Sequence, residues 1–467
     1  MPRTPIILSA FFFNPQGDHR MSWRHPQAPG REIFGLRYFS RLAAAAEAAR
    51  MDAIFVADHV AMWDTYESSI AHYANARLEP ITLLAALAAV TRHIGLIATA
   101  SASYSEPYNI ARAFATLDHL SNGRSGWNVV TSGMNEEAMN FGRDANIEHA
   151  FRYEGAAEFL DVTKGLWDSL EDDALLLDKT SGFFADPQRV HHINHVGKHF
   201  KVRGPLNVPR PPQGYPVIVQ AGSSEDGKKL AAEHADLNFA LVRTIEEGQL
   251  YRRDFNDRLQ RVGREPGDLK VLPGILPIVA TSRAQAEEKR ALLETLVPER
   301  VGIDLVSSWA GMDLSAYPSD GPLPPLPGVS SFDGQRTNLE RLAAFAKENL
   351  TIREIAHRIA NAGTGPIMAG TPTDIADEME AWYVAGAADG FNLMFPLLPK
   401  DWLNFTELVV PELQRRCLTR RAYAAGTLRD RLGLRRPVNR FSSELGVNEW
   451  SCDARYGGVE LRSRSSG

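Results

Sequence analysis

The sequence predicts an α/β fold, a closed (β/α)8 barrel with insertions after its fourth and seventh strands, and three observations carry that expectation. Eight short strand-like runs are predominantly apolar along their length, as strands covered on both faces of a parallel sheet are. Amphipathic stretches of helical length separate them, and eight such units are what closes a barrel. The rival, a doubly wound open sheet, is weakened because no strand–GxGxxG–helix unit occurs.

The elements follow in order. Ile6–Phe13 reads as the first strand, and a Gly/Pro/His loop leads from it to a helix over Gly35–Arg50. Ala53–Ala57, a helix near Pro80–Val90 and Ile94–Ala100 come next. A helix opening at Pro107 leads to strand Gly126–Thr131, and a long helix runs from about His149 to Leu170. Pro216–Gln220, Leu237–Val242 and Val271–Val279 are three more strands. Thr371 caps a helix to Ala385 with Pro372 at its first position. Asn392–Phe395 is the eighth strand, and Trp402–Arg416 the closing helix.

Two insertions account for the remaining length. Leu177–Gln213 is rich in Gly, Pro and His and reads as a hairpin excursion. Val297–Pro366 contains LSAYPSDGPLPPLPGVSSFDG, a Pro/Gly density that predicts an irregular lid without a core of its own. The expected organisation is one catalytic domain over 1–440, carrying insertions 177–213 and 297–366, followed by a mobile tail over 441–467.

The chain has 467 residues, 44% hydrophobic and 23% charged, which excludes disorder as the main state. Its net charge of −6 gives no basic field for nucleic acid or an anionic membrane. Cys417 and Cys452 are the only cysteines, too few for a disulfide framework or a cysteine zinc site. Met1–Asn14 lacks a cleavage site, and no stretch approaches the ~20 apolar residues of a membrane span. The sequence therefore reads as a soluble cytoplasmic enzyme. It has no GxxxxGK[ST] loop, no GxSxG elbow and no nicotinamide-binding module.

Barrel chemistry sits at the C-terminal ends of the strands. Those positions supply His19 and His25 after the first strand, Asp58 and His59 after the second, and Ser103 after the third. Asn128 lies on the fourth, and QAGSSEDG (Gln220–Gly227) follows the fifth. Ser223 or Ser224 in that small-residue turn either caps the next helix or helps hold an anion at its N-terminus. His149 and Tyr153, four apart, share a helix face. They are a pair of donors for a phosphate, part of a metal site, or a surface pair. His191, His192, His195 and His199 superficially resemble a metal cluster but read as loop histidines.

LDHLSNGRSGWNVVTSGMNEEAMNFG (Leu117–Gly142) resembles the signature of the flavin-dependent monooxygenases related to nitrilotriacetate monooxygenase. That group includes the dibenzothiophene-sulfone and EDTA enzymes and lies within the bacterial-luciferase-like superfamily. WRHP (Trp23–Pro26), FVAD (Phe55–Asp58), ASYSEPY (Ala102–Tyr108), HAFRYEGAAEFLDV (His149–Val162), QAGSSEDG, GTPTDIADEMEAWYVAGAADGFNL (Gly370–Leu393) and Glu412–Pro437 fit the same group, so the likeness covers about Ile6 to Arg440. It implies a luciferase-like TIM barrel that takes FMNH2 from a separate NAD(P)H:FMN reductase. A C4a-peroxyflavin formed with O2 would then oxygenate a small organic substrate. A homodimer or homotetramer is expected, and no metal. The family's flavin positions match Asp58, Ser103, His149, Tyr153 and Ser224, with Ser223 beside them. His19 and His25 are the candidates for hydrogen-bonding the peroxide or substrate. The chain departs from its relatives with Ser for Thr at Ser103, His59 at a usually small position and Cys417 where Gly is usual. Two other classes remain: a non-catalytic FMN-binding barrel, marked by flavin binding without substrate-dependent oxygen uptake, and a metal-dependent hydrolase, marked by loss of activity to chelators.

Overall fold

The computed structural model describes residues 4–328, 336–361 and 365–442. Eight parallel strands close into a barrel: β1 (Ile7–Phe12), β2 (Ala53–Val56), β3 (Gly95–Ser101), β4 (Ser125–Val130), β5 (Val217–Gln220), β6 (Leu237–Ala240), β7 (Lys270–Val279) and β8 (Gly390–Met394). Pairing runs in chain order, and the ring shuts where Ile7 of β1 lies opposite Gly390 of β8. The eight expected strands are all present.

Helices cover the outside: α1 (Leu36–Ala48), α2 (Pro80–Ala88), α3 (Pro107–Leu120), α4 (His149–Asp168), α5 (Glu225–His234) and α6 (Ile245–Arg261). Alternation along each strand divides the core. Ile54, Leu96, Trp127 and Ile218 face outward to the helices, while Phe55, Ile97, Val217 and Val219 fill the interior. Phe11, Phe55 and Phe239 pack together at mid-barrel, with centroids 5.1–6.4 Å apart. The floor is closed by chain from far downstream, since Leu428, Leu432 and Leu434 belong to the same interior cluster. Arg429 anchors that segment through a bidentate contact with Asp236 at 2.7 and 2.8 Å.

The insertion after β7 corrects the sequence reading. It is not a coreless lid: α7 (Arg283–Thr295) is followed by α8 (Glu299–Ala310), α9 (Arg336–Lys347) and α10 (Ile352–Asn361). Leu305, Val306, Leu342, Ile355 and Ile359 bury one another in a separate apolar cluster, which the Pro/Gly stretch merely interrupts. A ninth strand, Ile367–Gly370, then pairs with the second half of β7, from Leu276 opposite Ile367 to Val279 opposite Gly370. At the split Gly365 comes so close to β7 that a Cβ on it would stand 1.9 Å from the Gly274 carbonyl oxygen. Helix α11 (Pro372–Val384) begins as expected, with Thr371 Oγ1 accepting from Asp374 N at 3.2 Å.

The excursion after α4 forms two small hairpins, Leu175–Asp178 with Phe183–Ala185 and His195–Val196 with Lys201–Val202. Three of its four histidines pair with carboxylates rather than standing solvated: His191 with Glu171 at 2.7 Å, His195 with Glu158 at 2.9 Å, and His199 with Glu154 at 3.6 Å, while His192 is exposed as expected. Among the described residues no helix is long and apolar enough to cross a membrane. The tail expected to be mobile lies, from residue 443 onward, outside the described residues.

Candidate active site

The C-terminal ends of the strands form one rim, and β1 leaves it through a tight turn. Asp18 Oδ1 accepts from Phe13 N at 3.3 Å, while Asp18 N donates to the Phe395 carbonyl at 2.7 Å. Burial pushes the Asp18 carboxyl well above its ordinary range despite those donors. His19 is buried and lines a small cavity with Leu276, Ile278, Leu293, Ile367 and Pro396, to which Arg290 and Glu294 add charge. His25 is half-buried elsewhere, its Nδ1 accepting from Gln27 N at 3.1 Å. Burial, then the nearby Lys400, lowers its pKa. The two candidate imidazoles thus occupy different surroundings.

After β2, burial raises the Asp58 carboxyl to about 6, and Arg77 only partly offsets the rise. His59 meets the Phe13 ring edge-on at 5.2 Å, and its Nδ1 lies 3.6 Å from Glu137 Oε1. Glu137 is itself buried and accepts from Gly133 N, Met134 N and Val60 N at 3.0–3.3 Å. Burial alone would raise that carboxyl; His59 and the backbone donors hold it below the usual range.

Strands β3 and β4 supply hydroxyls and one amide. Ser103 Oγ donates to the Thr131 carbonyl at 2.7 Å, and Ser101 Oγ lies 3.0 Å from Ser132 Oγ. Ser132 sits at φ 50°, and Arg152 Nη1 donates to its carbonyl at 2.6 Å. Asn128 Nδ2 donates to Thr99 Oγ1 at 3.0 Å, whereas Asn128 Oδ1 is buried without a hydrogen-bond partner.

The turn after β5 draws four of the sequence candidates together. Ser224 caps α5 by accepting from Gly227 N at 3.1 Å, with Ser223 beside it. Across the turn, His149 Nδ1 lies 3.0 Å from Asp226 Oδ2, so the first turns of α4 and α5 are tied together. The His149 and Tyr153 rings stand 4.8 Å apart. A Cβ at Gly222 would lie 2.8 Å from the Tyr153 hydroxyl and 2.5 Å from Gln220 Nε2, so only a bare backbone fits there. The Tyr153 hydroxyl, the Ser224 hydroxyl and the His149 imidazole, with its Asp226 partner, thus lie around the start of α5, where backbone N–H groups favour an anion.

Sequence reasoning missed Arg77, Glu137 and Arg152, none of which lies on a strand or at its immediate end. Arg77 sits two residues before Glu79, the cap of α2, where its spacing gives no signal. Among the described residues no group of three or more His, Cys, Asp or Glu side chains converges as metal ligands do.

Comparison with known proteins agrees with this architecture. The model of the luciferase-like monooxygenase family matches residues 16–389. The chain is 45% identical to nitrilotriacetate monooxygenase component A of Aminobacter aminovorans, covering 92% of this chain and 96% of that protein. It is 44% identical to N-acetyl-S-(2-succino)cysteine monooxygenase of Bacillus subtilis (strain 168), covering 93% and 98%. A solved structure of riboflavin lyase with modified FMN and riboflavin superposes with a TM-score of 0.84 at 30% identity, over 92% of this chain and 96% of that one. The closed eight-stranded barrel, the matching family model and relatives at this identity over nearly their whole length lead to one conclusion: the chain belongs to the luciferase-like monooxygenase family.

Proposed function

We propose that this chain is the oxygenase component of a two-component monooxygenase, using reduced FMN from a separate NAD(P)H:FMN reductase, and O2, to oxygenate a small organic substrate. One observation carries the reading: the bare turn at Gly222 brings the Tyr153 hydroxyl against the start of α5, where Ser224 caps the helix and His149 pairs with Asp226, an arrangement of donors suited to a phosphate. The relative named component A supports a second protein partner, and the FMN in the riboflavin lyase structure supports the choice of flavin. When bound, reduced FMN supplies the electrons and the centre at which O2 reacts.

The chain's own residues bind, orient and enclose. Ser224, Ser223, Tyr153 and His149 would hold the phosphate, and Asp58 and Ser103 would supply further contacts to the flavin. His19 and His25 are the groups available to hold or move a proton at an imidazole nitrogen. Water is kept out by the helical insertion, which is latched to the loop after β2: Trp63 Nε1 donates to Ser308 Oγ at 3.1 Å, and Ser68 Oγ donates to Asp304. The test is reconstitution. The purified chain with FMN and NADH should oxidise NADH negligibly, while an added FMN reductase and a substrate panel should give oxygenated product by mass spectrometry. Rapid NADH oxidation by the chain alone, or flavin binding with no substrate-dependent oxygen uptake across the panel, refutes it.

A further inference from the structure

The rim holds a second polar feature, three strands away from the phosphate cradle. Arg77 lays its guanidinium over the Phe13 ring, 4.1 Å from the centroid, and Phe13 directly follows β1. Asp58 and His59, which follow β2, belong to the same surroundings: His59 meets the Phe13 ring edge-on, and Asp58 acts electrostatically on Arg77. Arg77 Nη1 is buried without a hydrogen-bond partner, and among the described residues no carboxylate lies within 4 Å of the guanidinium. Asp58 is close enough to influence Arg77 but does not pair with it.

A guanidinium keeps its proton at any physiological pH, so it cannot relieve burial by becoming neutral. Burial without an acceptor opposes its charge and shifts its pKa down. Surface arginines avoid that cost by reaching water; Arg77 is half-buried, and where it stacks on Phe13 its Nη1 is shut off from solvent. Such a group is stabilised when an anion arrives, and a planar fork matches a carboxylate with two parallel hydrogen bonds. The flavin phosphate is not that anion on the reading above, because its cradle follows β5, with β3 and β4 between.

Resting on the proposed function, we propose that Arg77 is a substrate-recognising residue, and that the substrate of this enzyme carries a carboxylate bound against Arg77 and Phe13. The substrate is thereby a small organic acid oxygenated at a distance from its carboxylate, which serves as the handle. His59, which meets the Phe13 ring edge-on and lies 3.6 Å from Glu137, shapes the same subsite.

The experiment uses the full chain loaded with FMN. Malonate, succinate, citrate and benzoate are titrated against their methyl esters, and binding is read from the melting temperature. At least one acid should bind where its ester does not. Arg77→Met, which keeps the aliphatic stem, should weaken that acid roughly ten- to hundredfold, as loss of a charge-assisted pair does. Arg77→Lys and Phe13→Leu should give intermediate losses, and they decide the question should Arg77→Met fail to fold. FMN affinity, followed by fluorescence quenching in the same samples, should not change. If no acid outperforms its ester, or if Arg77→Met retains the acid, the proposal is overturned while the flavin reading stands. Binding of an acid through Arg77 by a chain that does not take FMN would instead overturn the flavin reading and leave this subsite in place.

Discussion

Ser224 offers the sharpest test of the phosphate cradle, because its two roles can be separated. Its hydroxyl oxygen accepts from Gly227 N at 3.1 Å and so caps α5, which leaves its proton to donate to a ligand. Ser224→Ala removes both bonds. The lost cap should cost about 1 kcal/mol of stability, and the lost bond to a charged phosphate about 1.5–3 kcal/mol of FMN affinity, roughly 10- to 150-fold. Ser224→Gly keeps most of the capping, because glycine gives up only a few tenths of a kcal/mol at an N-cap. It should therefore lose FMN as Ser224→Ala does while melting close to wild type. Tyr153→Phe should lose a similar factor, and the double variant less than the product, since both bonds end on one ligand. The assay is fluorescence titration with FMN and with riboflavin, which lacks the phosphate. Riboflavin affinity should hardly move in any variant. Equal losses for the two flavins would place these residues away from the phosphate and refute the reasoning.

Three further outcomes are expected. Replacing Ser315–Gly328 with a short Gly/Ser linker removes the backbone bonds from Ile352 N to Gly321 O and Arg353 N to Ser319 O. The melting temperature should fall modestly, and hydrogen peroxide released per FMNH2 consumed should rise at the expense of product; unchanged coupling would make the segment a spacer. Asp58 titrates at about 6 in the fold against about 3.9 in the unfolded chain, so the folded state holds the extra proton between those values and stability falls as pH rises from 4 to 6. Asp58→Asn should flatten part of that fall in urea melts of the flavin-free chain at pH 4, 5, 6 and 7, and an unaltered slope would contradict the burial argument. Cys417 adopts φ 59°, a left-handed conformation that suits glycine; Cys417→Gly should raise stability by a few tenths to about 1 kcal/mol in a urea melt, and a loss would show that its thiol packing outweighs the strain.

The barrel was legible because its strands are buried on both faces, and continuous apolar runs such as Ala53–Val56 and Val217–Gln220 have few other uses. The helical insertion does carry a signal: Ile352, Ile355, Ala356 and Ile359 keep helical spacing, but the proline-rich stretch before them masks it. The ninth strand, IMAG, is too short to announce itself and exists because β7 outruns its partner β8. In the rim, positions next to a strand end or on one helix face could be found from order and spacing, as Asp58, His149 and Tyr153 were. Arg77 and Glu137 could not, since only the folded loops bring them to Phe13 and His59.

The barrel floor has a bearing on how the chain reaches its fold. β1 emerges from the ribosome first, yet its partner β8 comes near residue 390, and the leucines that seal the interior only at 428–434. Until then Phe11, Phe55 and Ile97 have no floor beneath them, and two strand edges stay open to pairing with other chains. Closure during synthesis must therefore be late and dominated by distant contacts, the circumstance in which folding is slow and intermediates aggregate. Truncation ahead of Leu428 should yield insoluble protein rather than an inactive soluble barrel, although every residue assigned to flavin lies well upstream. Expression at low temperature or with added chaperone should matter more for this chain than for a barrel sealed by its own first residues.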